Sequence, residues 1–265
     1  MIEWNVDPTI FTLGPLSPRW YGMLFATAFL LSYHVMKKMF LTEKLEFKDL
    51  DALTIYMIVG TILGARLGHV FFYEPQIMLD NPFEVLAIWH GGLASHGAAL
   101  GIITCLWLFH RKRRTYTMTW LLDRLAIVAA LSGMCIRIGN LCNSEILGRT
   151  ADVPWAFWFK LVDPMPVWRH PAQIYEALLC LALFLVLWML YKKGMAQTNP
   201  GRIFGLFLVL LFTGRFFIEF LKEHQVRFEA GLPIDMGQIL SIPFIVAGVW
   251  YLVRSRTESL ALRSR

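Results

Sequence analysis

The sequence predicts an all-α integral membrane protein of about seven transmembrane helices, with its N-terminus outside and its C-terminus in the cytoplasm. Three observations predict it. Hydrophobic residues make up 57% of the 265 and charged residues only 17%, against about 25% charged in a soluble domain. Seven apolar runs reach the ~20 residues that cross a bilayer. Lys and Arg segregate between alternate loops. Lys37, Lys38, Lys44, Lys48, the basic stretch 111–114, Lys192, Lys193, Arg202, Arg254, Arg256, Arg263 and Arg265 fall on one side, 15 in all. Six fall on the other: Arg19, Arg149, Lys160, Arg169, Lys222 and Arg227. The positive-inside rule makes the richer side cytoplasmic. The net charge of +6 therefore sets topology, and no nucleic-acid partner is expected.

The elements follow in order. Met1–Ser17 lacks a charged n-region and a cleavage site, so no signal peptide is expected to be removed. The spans are expected near 20–39, 51–73, 91–110, 120–141, 171–191, 203–221 and 236–253. Residues 74–90 hold Pro75, Pro82 and a short apolar piece ending in Trp89, which suits the membrane interface. No Pro/Gly/Ser-rich linker or repeat divides the chain, so residues 1–265 are expected to form a single transmembrane domain. Gly60, Gly64 and Gly68 recur every fourth residue in the second span, a spacing that lets helix backbones approach. Cys105 and Cys180 lie inside apolar runs as small core residues, and the four cysteines show no metal-ligand spacing. Asp123 and Arg124 sit at the cytoplasmic end of the fourth span, as an anchor or a pair with a neighbour, far from the outer face.

Topology converts sequence position into depth. Arg66 and His69 come late in an ascending span, and His96 comes early in a descending one. Arg137 is late in the fourth span and Glu176 early in the fifth. Arg215 and Glu219 are late in the sixth, four residues apart on one helical face. With Tyr21, six spans place polar side chains within roughly 10 Å of the outer boundary. An arginine at membrane depth costs about 2.5 kcal/mol or more unless paired or wetted, so the cluster reads as a functional site on the outer face. A polar plug joining neighbouring helices would not converge on one depth.

Three arginines at one depth favour an anion, and the planar guanidinium matches phosphate oxygens. In the outer leaflet the abundant anion is a phospholipid headgroup. His96, flanked by Gly91, Gly92 and Gly97, lies where backbone can approach a ligand, and a histidine there can accept a proton near neutral pH. There is no HExxH, no paired-Asp motif and no GxSxG. Ser95 and His96 are neighbours and point apart on a helix. Neither a metal, another cofactor nor a serine nucleophile is expected, and the site suits the joining of two bound substrates.

The segment Arg137-Ile-Gly-Asn140-Leu-Cys-Asn143-Ser-Glu145-Ile-Leu-Gly148-Arg149 resembles the signature of the bacterial prolipoprotein diacylglyceryl transferases. Further matches run along the chain: Trp20-Tyr21-Gly22, Gly64-Ala-Arg66-Leu-Gly68 and Gly91-Gly92-Leu-Ala-Ser-His96-Gly97. Arg169-His170-Pro171-Ala-Gln173-Ile-Tyr175-Glu176, Gly214-Arg215 with Glu219, and Met236-Gly237-Gln238 follow. The chain departs from the family at Ile136, where glycine is usual, at Leu141 for phenylalanine, and at His90 for an acidic residue.

The resemblance implies transfer of the diacylglyceryl group of phosphatidylglycerol to the thiol of the lipobox cysteine of a prolipoprotein. A thioether forms and glycerol phosphate leaves, in the bacterial inner membrane with the site facing the periplasm. With the depth argument, it assigns His96, Arg137, Arg215, Glu145 and Asn140 to catalysis. Tyr21, Arg66, Gly148, His170, Glu219 and again Arg137 are assigned to substrate binding. His96, or failing it His69, would take the thiol proton. Glu219 would orient Arg215, and Glu145 would orient Arg137 or Arg149. The runner-up is a transporter with an anion site between helices, which inverted repeats would favour; the sequence shows none.

Overall fold

A computed structural model describes the chain except residues 15, 88–91, 93, 224–233 and 264–265; the side chains of residue 79 and of 256–263 are also left aside. The protein is mostly helical. Each of the seven apolar runs falls on a helix of at least 18 residues: α1 Trp20–Thr42, α2 Phe47–Tyr73, α4 Ser95–Lys112, α5 Met118–Cys142, α6 Ala172–Lys192, α8 Arg202–Glu219 and α9 Met236–Arg263. Short helices α3 Ile77–Asp80 and α7 Met195–Thr198 complete the helical set among the described residues, with a 3₁₀ turn at Pro82–Leu86. Four helices, Phe47–Tyr73, Met118–Cys142, Ala172–Lys192 and the stretch Met236–Ser255 of α9, are long and apolar enough to cross a membrane.

The chain divides into two compact units, Val35–Leu121 and the remainder, Met1–His34 with Leu122–Arg265. In the first, α2 and α4 pack glycine against glycine. A Cβ on Gly64 would stand 2.5 Å from the Gly97 carbonyl oxygen, and one on Gly101 would stand 2.1 Å from that of Gly60. Any larger side chain would force the helices apart, so the row of small residues sets their spacing. Away from that contact, buried Phe40, Phe109 and Tyr116 pack ring on ring. The Tyr116 hydroxyl donates to Asp49 at 2.9 Å, and Arg113 pairs with the same carboxylate at 3.0 Å. Burial and then the Asp49 hydrogen bond hold the Tyr116 phenol above its ordinary pKa, so it stays protonated. Phe83, in the 3₁₀ turn, is 90% exposed. Trp89 and His90 lie outside the described residues.

In the larger unit, α8 and α9 pack closely, with Gly205 against Gly248 and Phe212 stacked on Phe244 at 4.3 Å. Fully buried Asp123 of α5 accepts hydrogen bonds from the backbone N–H groups of Gly201 (2.7 Å) and Phe204 (2.8 Å). It thereby caps the first turn of α8, whose N–H groups have no partner within the helix. Arg124, beside it and equally buried, lies over the Tyr191 ring.

The sequence predicts an all-α chain, yet β1 (Ile2–Trp4) pairs in parallel with β2 (Phe157–Phe159), Ile2 opposite Phe157 and Trp4 opposite Phe159. Leu141, Phe157 and Phe159 form a small core with Trp4, Leu147 and Ile174 against it. The Trp4 indole N–H donates to the Leu141 carbonyl at 3.0 Å. This knot of aromatics fixes the end of α5, where the site begins.

Candidate active site

Helix α5 ends at Cys142, and the chain then turns back through two non-glycine residues in left-handed conformation, Ser144 (φ 53°) and Ile146 (φ 58°). For a β-branched residue this is strained, and such strain runs to about 1–3 kcal/mol at positions that the surroundings over-determine. The turn returns the Glu145 side chain to the helix end. Its two oxygens accept from the side-chain amides of Asn140 and Asn143, each at 3.2 Å. Asn140 in turn accepts from Arg137 Nη1 at 3.3 Å. Asn140 is thus a relay, joining a carboxylate on one side to a guanidinium on the other.

From Arg137 the chain of charges continues inward. Its Nε lies 3.0 Å from Glu176 Oε2 of α6. The other oxygen of Glu176 lies 3.7 Å from Arg215 Nη1 of α8 and 3.8 Å from Lys222 Nζ. Lys222 makes hydrogen bonds of 3.0 and 3.2 Å to the Glu219 carboxylate. The Glu176 side chain is 2% exposed, whereas those of Arg137 and Arg215 are 16% and 29% exposed. The two guanidinium groups therefore share a buried carboxylate while keeping faces that a ligand can reach.

Three loop segments hold this arrangement from outside. Gly148 pairs with Lys222 as an antiparallel bridge, and Arg149 and Glu223 bond the backbone across it. On the other flank His170 N–H donates to the Arg149 carbonyl at 3.0 Å. A Cβ on Gly148 would stand 2.2 Å from the His170 carbonyl oxygen, so glycine is required there. Arg169 clasps Asp163 at 2.7 and 2.8 Å and reaches Glu223 at 2.8 Å. The Asp163 hydrogen bonds raise its pKa further above its usual value. Gly237 lets the Glu219 carboxyl approach the start of α9, and Gly139 lets Tyr21 lie against α5. His170 Nδ1 meets the Tyr175 hydroxyl at 3.1 Å, and that hydroxyl accepts from the Trp155 indole at 2.7 Å.

The smaller unit carries its own polar group. Arg66, 3% exposed, donates from Nε to the Val85 carbonyl at 3.2 Å and from Nη2 to that of Glu84 at 2.7 Å. Gly92 (φ +63°) leaves no room for a Cβ, which would meet the His69 ring at 2.5 Å. The rings of His69 and Tyr73 stack at 5.5 Å; His96, exposed at the start of α4, lies 5.1 Å from Phe72 and 5.8 Å from Tyr73. Ser95 and His96 open α4 on successive positions. Gly91 lies outside the described residues.

Two pairings expected from the sequence are corrected. Glu219 is bound by Lys222, not by Arg215, whose carboxylate partner is Glu176. Glu145 meets neither Arg137 nor Arg149; it holds Asn140 and Asn143, while Arg149 bonds the Lys222 carbonyl at 2.8 Å and Asp235 at 3.5 Å. Helical spacing favoured the first pair, but α6 places a buried carboxylate nearer to Arg215. Glu176 as the shared carboxylate and Lys222 as a buried cation were both missed. Arg215, Glu219 and Lys222 at i, i+4 and i+7 were the available signal.

The family model for prolipoprotein diacylglyceryl transferase matches residues 8–254. The chain is 45% identical over 258 residues to the phosphatidylglycerol–prolipoprotein diacylglyceryl transferase of Tolumonas auensis, covering 97% of this chain and 99% of that protein. It is 44% identical over 254 residues to the protein of the same name from Chloroherpeton thalassium, covering 96% and 94%. For the one from Porphyromonas gingivalis the identity is 45% over 267 residues, again covering 96% and 94%.

Proposed function

The chain belongs to the prolipoprotein diacylglyceryl transferase family, and from that premise we propose how its residues carry the reaction. It is a transferase that moves the diacylglyceryl group of phosphatidylglycerol to a prolipoprotein, the first step of lipoprotein maturation. The acceptor is the thiol of the lipobox cysteine. Its sulfur attacks the saturated glyceryl carbon bonded to the phosphate oxygen. A carbon–sulfur bond forms, the carbon–oxygen bond breaks with its electron pair, and glycerol phosphate departs.

The observation that carries this reading is the convergence of Arg137 and Arg215 on one buried carboxylate with their outer faces accessible. Those faces bind the phosphate and stabilise the charge that grows on the leaving oxygen. Asn140 and Glu145 orient Arg137. Glu219 acts through Lys222. His96 takes the thiol proton, an assignment resting on its depth in the sequence and its family position. Tyr21, Gly148 and His170 are assigned to substrate binding, and so is Arg66, which within the smaller unit holds the turn at Pro82–Leu86.

The charge segregation supports seven spans in one transmembrane domain of the bacterial inner membrane, N-terminus and site on the periplasmic side. Reporter fusions in the loops 111–117 and 150–168 test this; the same compartment for both would end it. The decisive assay for function incubates purified protein with phosphatidylglycerol and a lipobox peptide. The peptide should gain the mass of one diacylglyceryl group, and a peptide with serine for the cysteine should not. An unmodified cysteine peptide would overturn the reading.

A further inference from the structure

The phosphate assigned to Arg137 and Arg215 has a rival already in place. Glu176 is 1% exposed and is faced by Arg137 at 3.0 Å, Arg215 at 3.7 Å and Lys222 at 3.8 Å. Neither of its oxygens accepts an aligned hydrogen bond from any of them. A pair serving stability alone looks different. Arg169 and Asp163, in the same unit, meet fork to fork through two hydrogen bonds of 2.7 and 2.8 Å. Burying a carboxylate without such bonds is costly, and here three cations offset the cost through charge without locking the group.

We propose that Glu176 is an internal competitor for the phosphate, which keeps the anion site weak enough to release its product; the proposal rests on the assignment of Arg137 and Arg215 to phosphate binding. Arg137, Arg215 and Lys222 against Glu176 and Glu219 leave the cluster one net positive charge. The phosphodiester of the lipid carries a single negative charge. Once the carbon–oxygen bond breaks, the leaving glycerol phosphate carries a second, and uncompensated cations would retain it. Binding that favours substrate and product alike does not speed turnover, and slow release would limit it. As the product leaves, the two guanidinium groups close back on Glu176. Glu176 acts through the arginines and is a positioning residue.

The test measures inhibition by glycerol phosphate, against phosphatidylglycerol and a lipobox peptide, for the wild type, Glu176→Gln and Glu176→Asp. Glu176→Gln raises the net charge of the cluster to two. Removing a full charge at this range changes an equilibrium constant by about tenfold or more, so the inhibition constant and the KM for lipid should both fall by that factor. A burst of one thioether per enzyme should precede a slower steady rate. Glu176→Asp keeps the charge but draws it back by one methylene, and inhibition should tighten severalfold; if the glutamine variant does not fold, this one decides. Unchanged or weaker inhibition in a folded variant overturns the proposal. Failure of glycerol phosphate to inhibit even the wild type would instead overturn the phosphate assignment beneath it.

Discussion

Gly148 and His170 are packed backbone to backbone: a Cβ on the glycine would stand 2.2 Å from the histidine carbonyl oxygen. Neither side can withdraw freely, since His170 N–H is bonded to the Arg149 carbonyl and Gly148 is bridged to Lys222. Gly148→Ala should therefore part the segments that hold Lys222 under Glu219. Overpacking of this kind costs about 1–3 kcal/mol, so the melting temperature in detergent should fall together with transfer to the peptide. An unchanged melting temperature would show that the segments separate without strain.

Arg137→Ala and Arg215→Ala should each lower the rate of peptide modification by about 100-fold or more, the usual loss when a donor to developing charge is removed. In either variant Glu176 keeps two of its three cations, so the fold should survive. Near-normal turnover in one of them would remove that arginine from the phosphate.

Asn140 donates to Glu145 and accepts from Arg137. Asn140→Asp preserves the acceptor for Arg137 but sets a carboxylate against a carboxylate, and activity should fall. Adding Glu145→Gln restores a donor on the other side, with the amide and acid exchanged. The double variant should recover part of the loss, a coupling of about 0.5–3 kcal/mol. Additive losses would mean that the relay does not operate.

His96→Gln should separate proton removal from lipid binding. A free cysteine thiol has a pKa near 8.5, so little of it is ionised at neutral pH. If His96 takes that proton, the variant loses most of its rate at pH 7 and regains much of it as pH rises through the thiol value. A flat loss across the range, or none at pH 7, would end the base role.

The long elements were legible because a bilayer dictates apolar length, and the glycine row of α2 marks a face that another helix can approach closely. The strands were not: three residues such as Phe157–Phe159 are too few to show a period. In the site, Arg137 and Arg215 stood out as charges within apolar runs. Their partner did not, because sequence spacing sees neighbours on one helix, whereas Glu176 reaches both from another. Lys222 falls in sequence among the loop cations that set topology, yet it is 3% exposed. Its burial depends on the bridge to Gly148, a contact that local pattern does not encode.

The pairing of β1 with β2 also imposes an order on biogenesis. Ile2 cannot meet Phe157 until the intervening helices have been made. At about 5–20 residues per second, the first strand waits roughly 8–30 s for its partner. For most of that interval Trp4 has no Leu141 carbonyl to hold, because Leu141 is itself made only shortly before Phe157. Chains arrested on the ribosome before residue 157 should thus present residues 1–19 to protease, and chains released past residue 171 should protect them. β1 thus precedes its partner by five helices, α1 to α5, so the end of α5 is braced only after those helices have been made.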